Sequence, residues 1–106
     1  MAKYILMYKS PEGFDMSALP KAQITQAMQA WGEWLGAMGP SLIDRGDMFK
    51  SGTQSVSSAG VKDTSSSLSG YSIIDVDNYD AALEIASGSP VIQNGGRVEV
   101  YEAFGL

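Results

Sequence analysis

GYSIIDVDNYDAALEIASGSP, residues 70–90, is the stretch on which the fold turns. Gly70 to Val76 is rich in β-branched and aromatic residues and reads as a strand. Asp77 can cap a following helix, and Asp80 stands in its first turn, where a negative charge suits the helix dipole. Ala81, Ala82, Leu83, Ile85 and Ala86 give that helix its apolar content, and Gly88 with Pro90 stops it. Asn94-Gly95-Gly96 is a turn signal. Arg97 to Phe104 is then a closing strand.

Working back toward the N-terminus, Lys3 to Tyr8 is β-prone with apolar residues at both parities, so this strand has two apolar faces. It ends at the turn cluster Ser10-Pro11-Glu12-Gly13. Pro20 suits the first position of a helix. Ile24, Ala27, Met28, Trp31, Leu35 and Met38 fall at helical spacing, which predicts a helix over Lys21–Met38. Gly39-Pro40 ends it. Gly32 and Gly36 lie on one side of this helix and predict close approach of another backbone. Leu42 to Gly46 reads as a short connection with two apolar anchors. Asp47 to Thr53 is expected to be a second strand, weakened at Gly52. Ser51 to Ser69 holds eight serines and predicts a loop or a loose hairpin arm.

The order strand–helix–strand–strand–helix–strand predicts an α+β domain spanning 1–106. Its expected form is ferredoxin-like βαββαβ: a four-stranded antiparallel sheet with two helices on one face. The strands are apolar on both faces, so the uncovered sheet face would be a liability in a monomer. A homodimer with the two sheets packed face to face is the expectation.

Composition narrows the chemistry. The 106 residues are 44% hydrophobic and 18% charged, a globular balance. There is no cysteine, which excludes disulfides, thiol nucleophiles and zinc–thiolate sites. There is no histidine, which removes the commonest general base and metal ligand. Twelve acidic against seven basic residues give a net charge of −5, the wrong sign for nucleic-acid or anionic-membrane binding. No signal-peptide or membrane-spanning pattern is present, so the expected location is cytoplasmic.

KYILMY near the start, residues 70–90, and GGRVEVYEAF at 95–104 together resemble the YCII-related family, whose larger branch is named for a DGPF motif. The resemblance covers about half the chain and implies a dimeric α+β barrel. Departures from the family pattern are as informative. The DGPF segment falls on Ser58-Ala59-Gly60-Val61, with Asp63-Thr64 on the acidic–Thr pair that follows it. The histidine that members often carry near the start of the first helix is missing, its region holding Lys21, Ala22 and Gln23. The chain resembles a degenerate member.

Candidate site residues follow from side-chain chemistry. Tyr8, Lys50, Tyr71 and Tyr101 stand at or near strand positions where a polar tip could enter a cleft, and Lys50 could anchor a carboxylate. Trp31 is expected in the core and Trp34 off to one side at a pocket wall or an interface. Asp47, Glu99 and Glu102 are the carboxylates nearest a proton-transfer role, and Arg97 with Glu99 also suits a simple salt bridge. Asp75, Asp77, Asp80 and Glu84 fail the calcium-loop pattern, with Asp80 at its sixth position and Ala86 at its twelfth. The serines show no nucleophile signature. No metal or cofactor is expected. The favoured reading is a non-catalytic or accessory protein that binds a small molecule, a small organic acid being the candidate. The alternatives are a cofactor-free isomerase, lactonase-like hydrolase or oxygenase acting on such an acid, and a dimerisation module.

Overall fold

The computed structural model describes residues 2–11, 13–50 and 52–105. Four strands form one antiparallel sheet: β1 (Ala2–Lys9), β2 (Leu42–Asp44), β5 (Leu68–Val76) and β6 (Arg97–Glu102), in the order β2-β5-β1-β6. Between β2 and β5 the chain makes a separate two-stranded hairpin, β3 (Thr53–Ser57) and β4 (Gly60–Thr64). The helices are α1 (Lys21–Ala37), α2 (Tyr79–Ser87) and the single turn α3 (Pro90–Gln93). The fold is thus α+β, as the sequence pattern predicts, with α3 added where a stop and a turn were expected.

Strand parity sets the core. Tyr4, Leu6 and Tyr8 of β1 and Ser72, Ile74 and Val76 of β5 point to the face that carries the helices. Ala82 and Ala86 of α2 and Val91 of α3 pack there, with Trp31 and Trp34 of α1 and Met38 at its C-terminal cap. The opposite parity puts Ile5, Met7, Tyr71 and Ile73 on a half-buried second face. Asp75 shares that face, and its Oδ1 is buried with no hydrogen-bond partner among the described residues.

Several local expectations are corrected. The second strand of the sheet is Leu42–Asp44 and not Asp47–Thr53. Gly46 breaks the strand: its φ is +72°, and a Cβ there would collide with the Tyr71 carbonyl. The chain then runs as an irregular link, touching β5 through one bridge between Met48 and Gly70. Gly70 permits this approach, since a Cβ there would lie 2.6 Å from the Asp47 carbonyl oxygen. Ser51, inside the expected strand, falls outside the described residues.

The cap of α2 is Asn78, whose side chain accepts from the Ala81 N–H at 2.8 Å, where Asp77 was expected. Gly32 and Gly36 meet no neighbouring backbone, since nothing lies within 4 Å of a Cβ built at either. The last strand ends at Glu102, two residues short of the predicted Phe104. In the serine-rich stretch every residue of β3 and β4 is exposed, Val56 and Val61 included, so it stands off as a hairpin arm.

Candidate functional site

Tyr8 is the deepest polar-tipped side chain among the expected site residues, 2% exposed on the helix-covered face of β1. Its hydroxyl donates to Ser72 Oγ at 2.7 Å, and Ser72 Oγ donates to the Arg45 carbonyl at 2.6 Å. This chain of hydrogen bonds ties β1, through β5, to the link that follows β2. Burial pushes the Tyr8 phenol up to about 12, and the hydrogen bond with Ser72 opposes the shift only in part. At neutral pH the group is a neutral phenol. Its proton is committed to Ser72, so toward a ligand Tyr8 offers its oxygen as an acceptor.

The phenol borders a cavity of about 500 Å³ between α1, the Arg45–Met48 link and the sheet. Trp31 and Leu35 of α1 line it, as do Met16, Met28 and Met48. The methionines give it a soft, adaptable apolar wall. Arg45 and Asp47 stand at its rim and are exposed. Asp47 is tied back to its own chain, since its Oδ1 accepts from the Met48 N–H at 2.8 Å. Arg45 takes part in no ion pair among the described residues, whose two salt bridges both converge on Glu99. An unpaired guanidinium beside an apolar cavity is a ready partner for a carboxylate.

A second cavity, of about 510 Å³, lies between α1 and α3 and shares Met16, Trp31 and Met48 with the first. Trp31 therefore borders both. Trp31 also packs against the core, as expected, while Trp34, expected at a pocket wall or an interface, lines neither cavity. Its Nε1 donates to the Ile85 carbonyl at 3.3 Å and joins α1 to α2. Tyr8 meets the edges of both indoles, with ring centroids 4.7 Å from Trp31 and 6.0 Å from Trp34.

The other expected site residues scatter. Tyr71 contributes to the wall of the Tyr8 cavity, while its ring stacks on Phe49 at 6.2 Å between centroids. Lys50 is exposed in the irregular link and lines neither cavity. Tyr101 lies across from Ile5, on the other sheet face, and donates to Glu99 Oε1 at 2.9 Å. That hydrogen bond is the chief reason the Glu99 carboxyl titrates below its ordinary value, aided by Lys9 at 3.3 Å and by Arg97. Glu99 and Arg97 thus form the salt bridge that the sequence suggested. Glu102 raises the phenol pKa of Tyr4, after burial, and lines neither cavity. Sequence reasoning missed Arg45, whose only signal was a cation next to a glycine in a short connection.

Among the described residues there is no grouping of acidic side chains able to hold a metal ion. No helix is long and apolar enough to cross a membrane. Compared with known proteins, the chain matches no family model and no curated sequence.

Proposed function

We propose that this protein binds a small organic acid in the Tyr8 cavity and is a non-catalytic or accessory cytoplasmic protein of the YCII-related kind. The observation that carries the reading is that one cavity of about 500 Å³ combines an apolar wall with Arg45 as a lining residue, which forms no ion pair among the described residues. That volume is on the scale of small-molecule sites. The carboxylate meets Arg45, the ligand body lies against Trp31 and the methionines, and the Tyr8 oxygen accepts a hydrogen bond from any hydroxyl the ligand carries. Catalysis has less to work with. A phenol pushed up to about 12 is a poor acid at neutral pH and holds too little phenolate to act as a base.

Tryptophan fluorescence titration with benzoate, phenylacetate and hexanoate, against benzamide and hexanamide as uncharged controls, tests this. The acids should bind, the amides at least tenfold more weakly, and Arg45→Ala should remove the difference, since hydrogen bonds to charged groups contribute about 1.5–3 kcal/mol. Equal binding of acids and amides, or no acid bound at all, counts against the reading.

The same proposal includes a ferredoxin-like classification and a homodimer formed through the uncovered sheet face, as in a dimeric α+β barrel. The strand order β2-β5-β1-β6 with the helices on one side supports the first. The half-buried Ile5, Met7, Tyr71 and Ile73, and the unpartnered Asp75 oxygen among them, support the second. Full burial of each apolar side chain would contribute about 1.5–3 kcal/mol. Sedimentation should give twice the chain mass at micromolar concentration, and Ile73→Asp should return a folded monomer.

A further inference from the structure

The chain has seven asparagines and glutamines, and they divide sharply. Gln29 donates to Glu33, Gln54 donates to Asp63, and Asn78 caps α2; none of these lines a cavity described above. The other four, Gln23, Gln26, Gln93 and Asn94, all line the α1–α3 cavity; they are exposed, and their amides make no side-chain hydrogen bond among the described residues, so all four are open to a ligand. Gln23, Gln26 and Trp31 all reach it from α1. Gln93 and Asn94 come from the end of α3. Phe14 adds a second aromatic wall. No described lining residue is ionisable.

We propose that this cleft is a second binding site, distinct from the Tyr8 cavity, for an uncharged flat ring of the nucleobase class. A carboxamide presents a donor and an acceptor side by side in one plane, the pairing that a base edge presents in return. Trp31 and Phe14 supply the apolar surface on which such a ring stacks. No described lining residue carries a positive charge, which in a chain of net charge −5 selects against the phosphate of a nucleotide. The ligand is therefore a free base or nucleoside. Its volume suits a cavity of about 510 Å³.

Adenosine, guanosine, cytidine and uridine, titrated to millimolar concentration into ¹⁵N-labelled protein, test this through the side-chain NH₂ signals. At least one nucleoside should shift the signals of Gln23, Gln26, Gln93 and Asn94 saturably, leaving those of Gln29 and Gln54 unmoved. The corresponding 5′-monophosphate should bind no more tightly. Gln26→Leu should weaken binding about tenfold and Gln93→Ala should do the same from the opposite wall. Arg45→Ala should leave it unchanged, which separates this site from the acid site. The proposal is overturned if none of the four nucleosides moves these signals, if the monophosphate binds tenfold more tightly, or if methyl glucoside shifts them where nucleosides do not.

Discussion

Ser72 is the pivot of the hydrogen-bond chain, and removing it should cost more than removing the phenol that feeds it. In Tyr8→Phe, Ser72 Oγ loses an incoming donor but still donates to the Arg45 carbonyl at 2.6 Å. One net hydrogen bond is lost, about 1 kcal/mol. In a domain of this size that lowers Tm by about 4–8 °C. In Ser72→Ala two groups lose their partner, the Tyr8 hydroxyl and the Arg45 carbonyl. At about 1–3 kcal/mol for each unsatisfied group, the expected cost is about 2–6 kcal/mol. The double variant removes the stranded hydroxyl as well. It should be no less stable than Ser72→Ala alone, and its cost should fall short of the sum of the two single costs by about 2–4 kcal/mol. Urea unfolding followed by tryptophan fluorescence measures all three, because both indoles contact Tyr8. Strict additivity, or a Tyr8→Phe cost above that of Ser72→Ala, would falsify the chain as drawn. A Tyr8→Phe loss of several kcal/mol would also make the phenol a structural group and remove it from the binding site.

The same phenol predicts an alkaline signature. Its folded pKa of about 12 stands above the ordinary 10, so its contribution is fully present below pH 10 and is lost as pH rises toward 12. The loss amounts to about 2 kcal/mol by pH 12. Tyr8→Phe lacks this loss, so the two stability curves should cross between pH 10 and 12; parallel curves count against it. Gly46→Ala should cost well over 1 kcal/mol, since the φ of +72° and the Tyr71 carbonyl both oppose a side chain. Gly32→Ala, with open space at its Cβ, should instead stabilise by about 1 kcal/mol; thermal unfolding reads both signs. Tyr101→Phe should raise the Glu99 titration midpoint observed by NMR, because the Tyr101 hydroxyl is the main cause of its depression.

What could be read from the residues was what local pattern decides. The β5–α2 stretch, the closing strand and α1 carry their own periodicity and stop signals, and they formed nearly where the spacing put them. The site residues depended on register, which local pattern does not contain. Tyr8 faces the helices and Tyr101 faces away because Tyr101 pairs with Ile5, the neighbour parity, and that pairing is set across the sheet. Lys50 lost its strand position once Gly46 ended β2 at Asp44. Trp31 and Trp34 differ by three positions, about 60° around a helix, so both lie within the arc that can meet the sheet. Which of them borders a cavity was settled by α2, whose Ile85 carbonyl takes the Trp34 N–H.

The way α1 is held argues that a ligand belongs against it. Of its 17 residues only Leu35 is fully buried, although Ile24, Ala27, Met28, Trp31, Leu35 and Met38 form an apolar face. Met28 on that face is 66% exposed. Tyr8, Trp31 and Trp34 meet edge to face and fill the space beneath the C-terminal half of the helix. Open volume remains on two sides of Trp31. Filling such gaps would add stability, because each buried apolar side chain contributes about 1.5–3 kcal/mol. A bound acid would cover Met28 and Trp31 and so stabilise α1 before it stabilises the sheet. Hydrogen exchange with saturating benzoate should therefore slow the amides of α1 selectively, with β1 and β5 little changed. Uniform protection across the chain, or none in α1, would mean that the cavity beside Tyr8 is a packing defect and not a site.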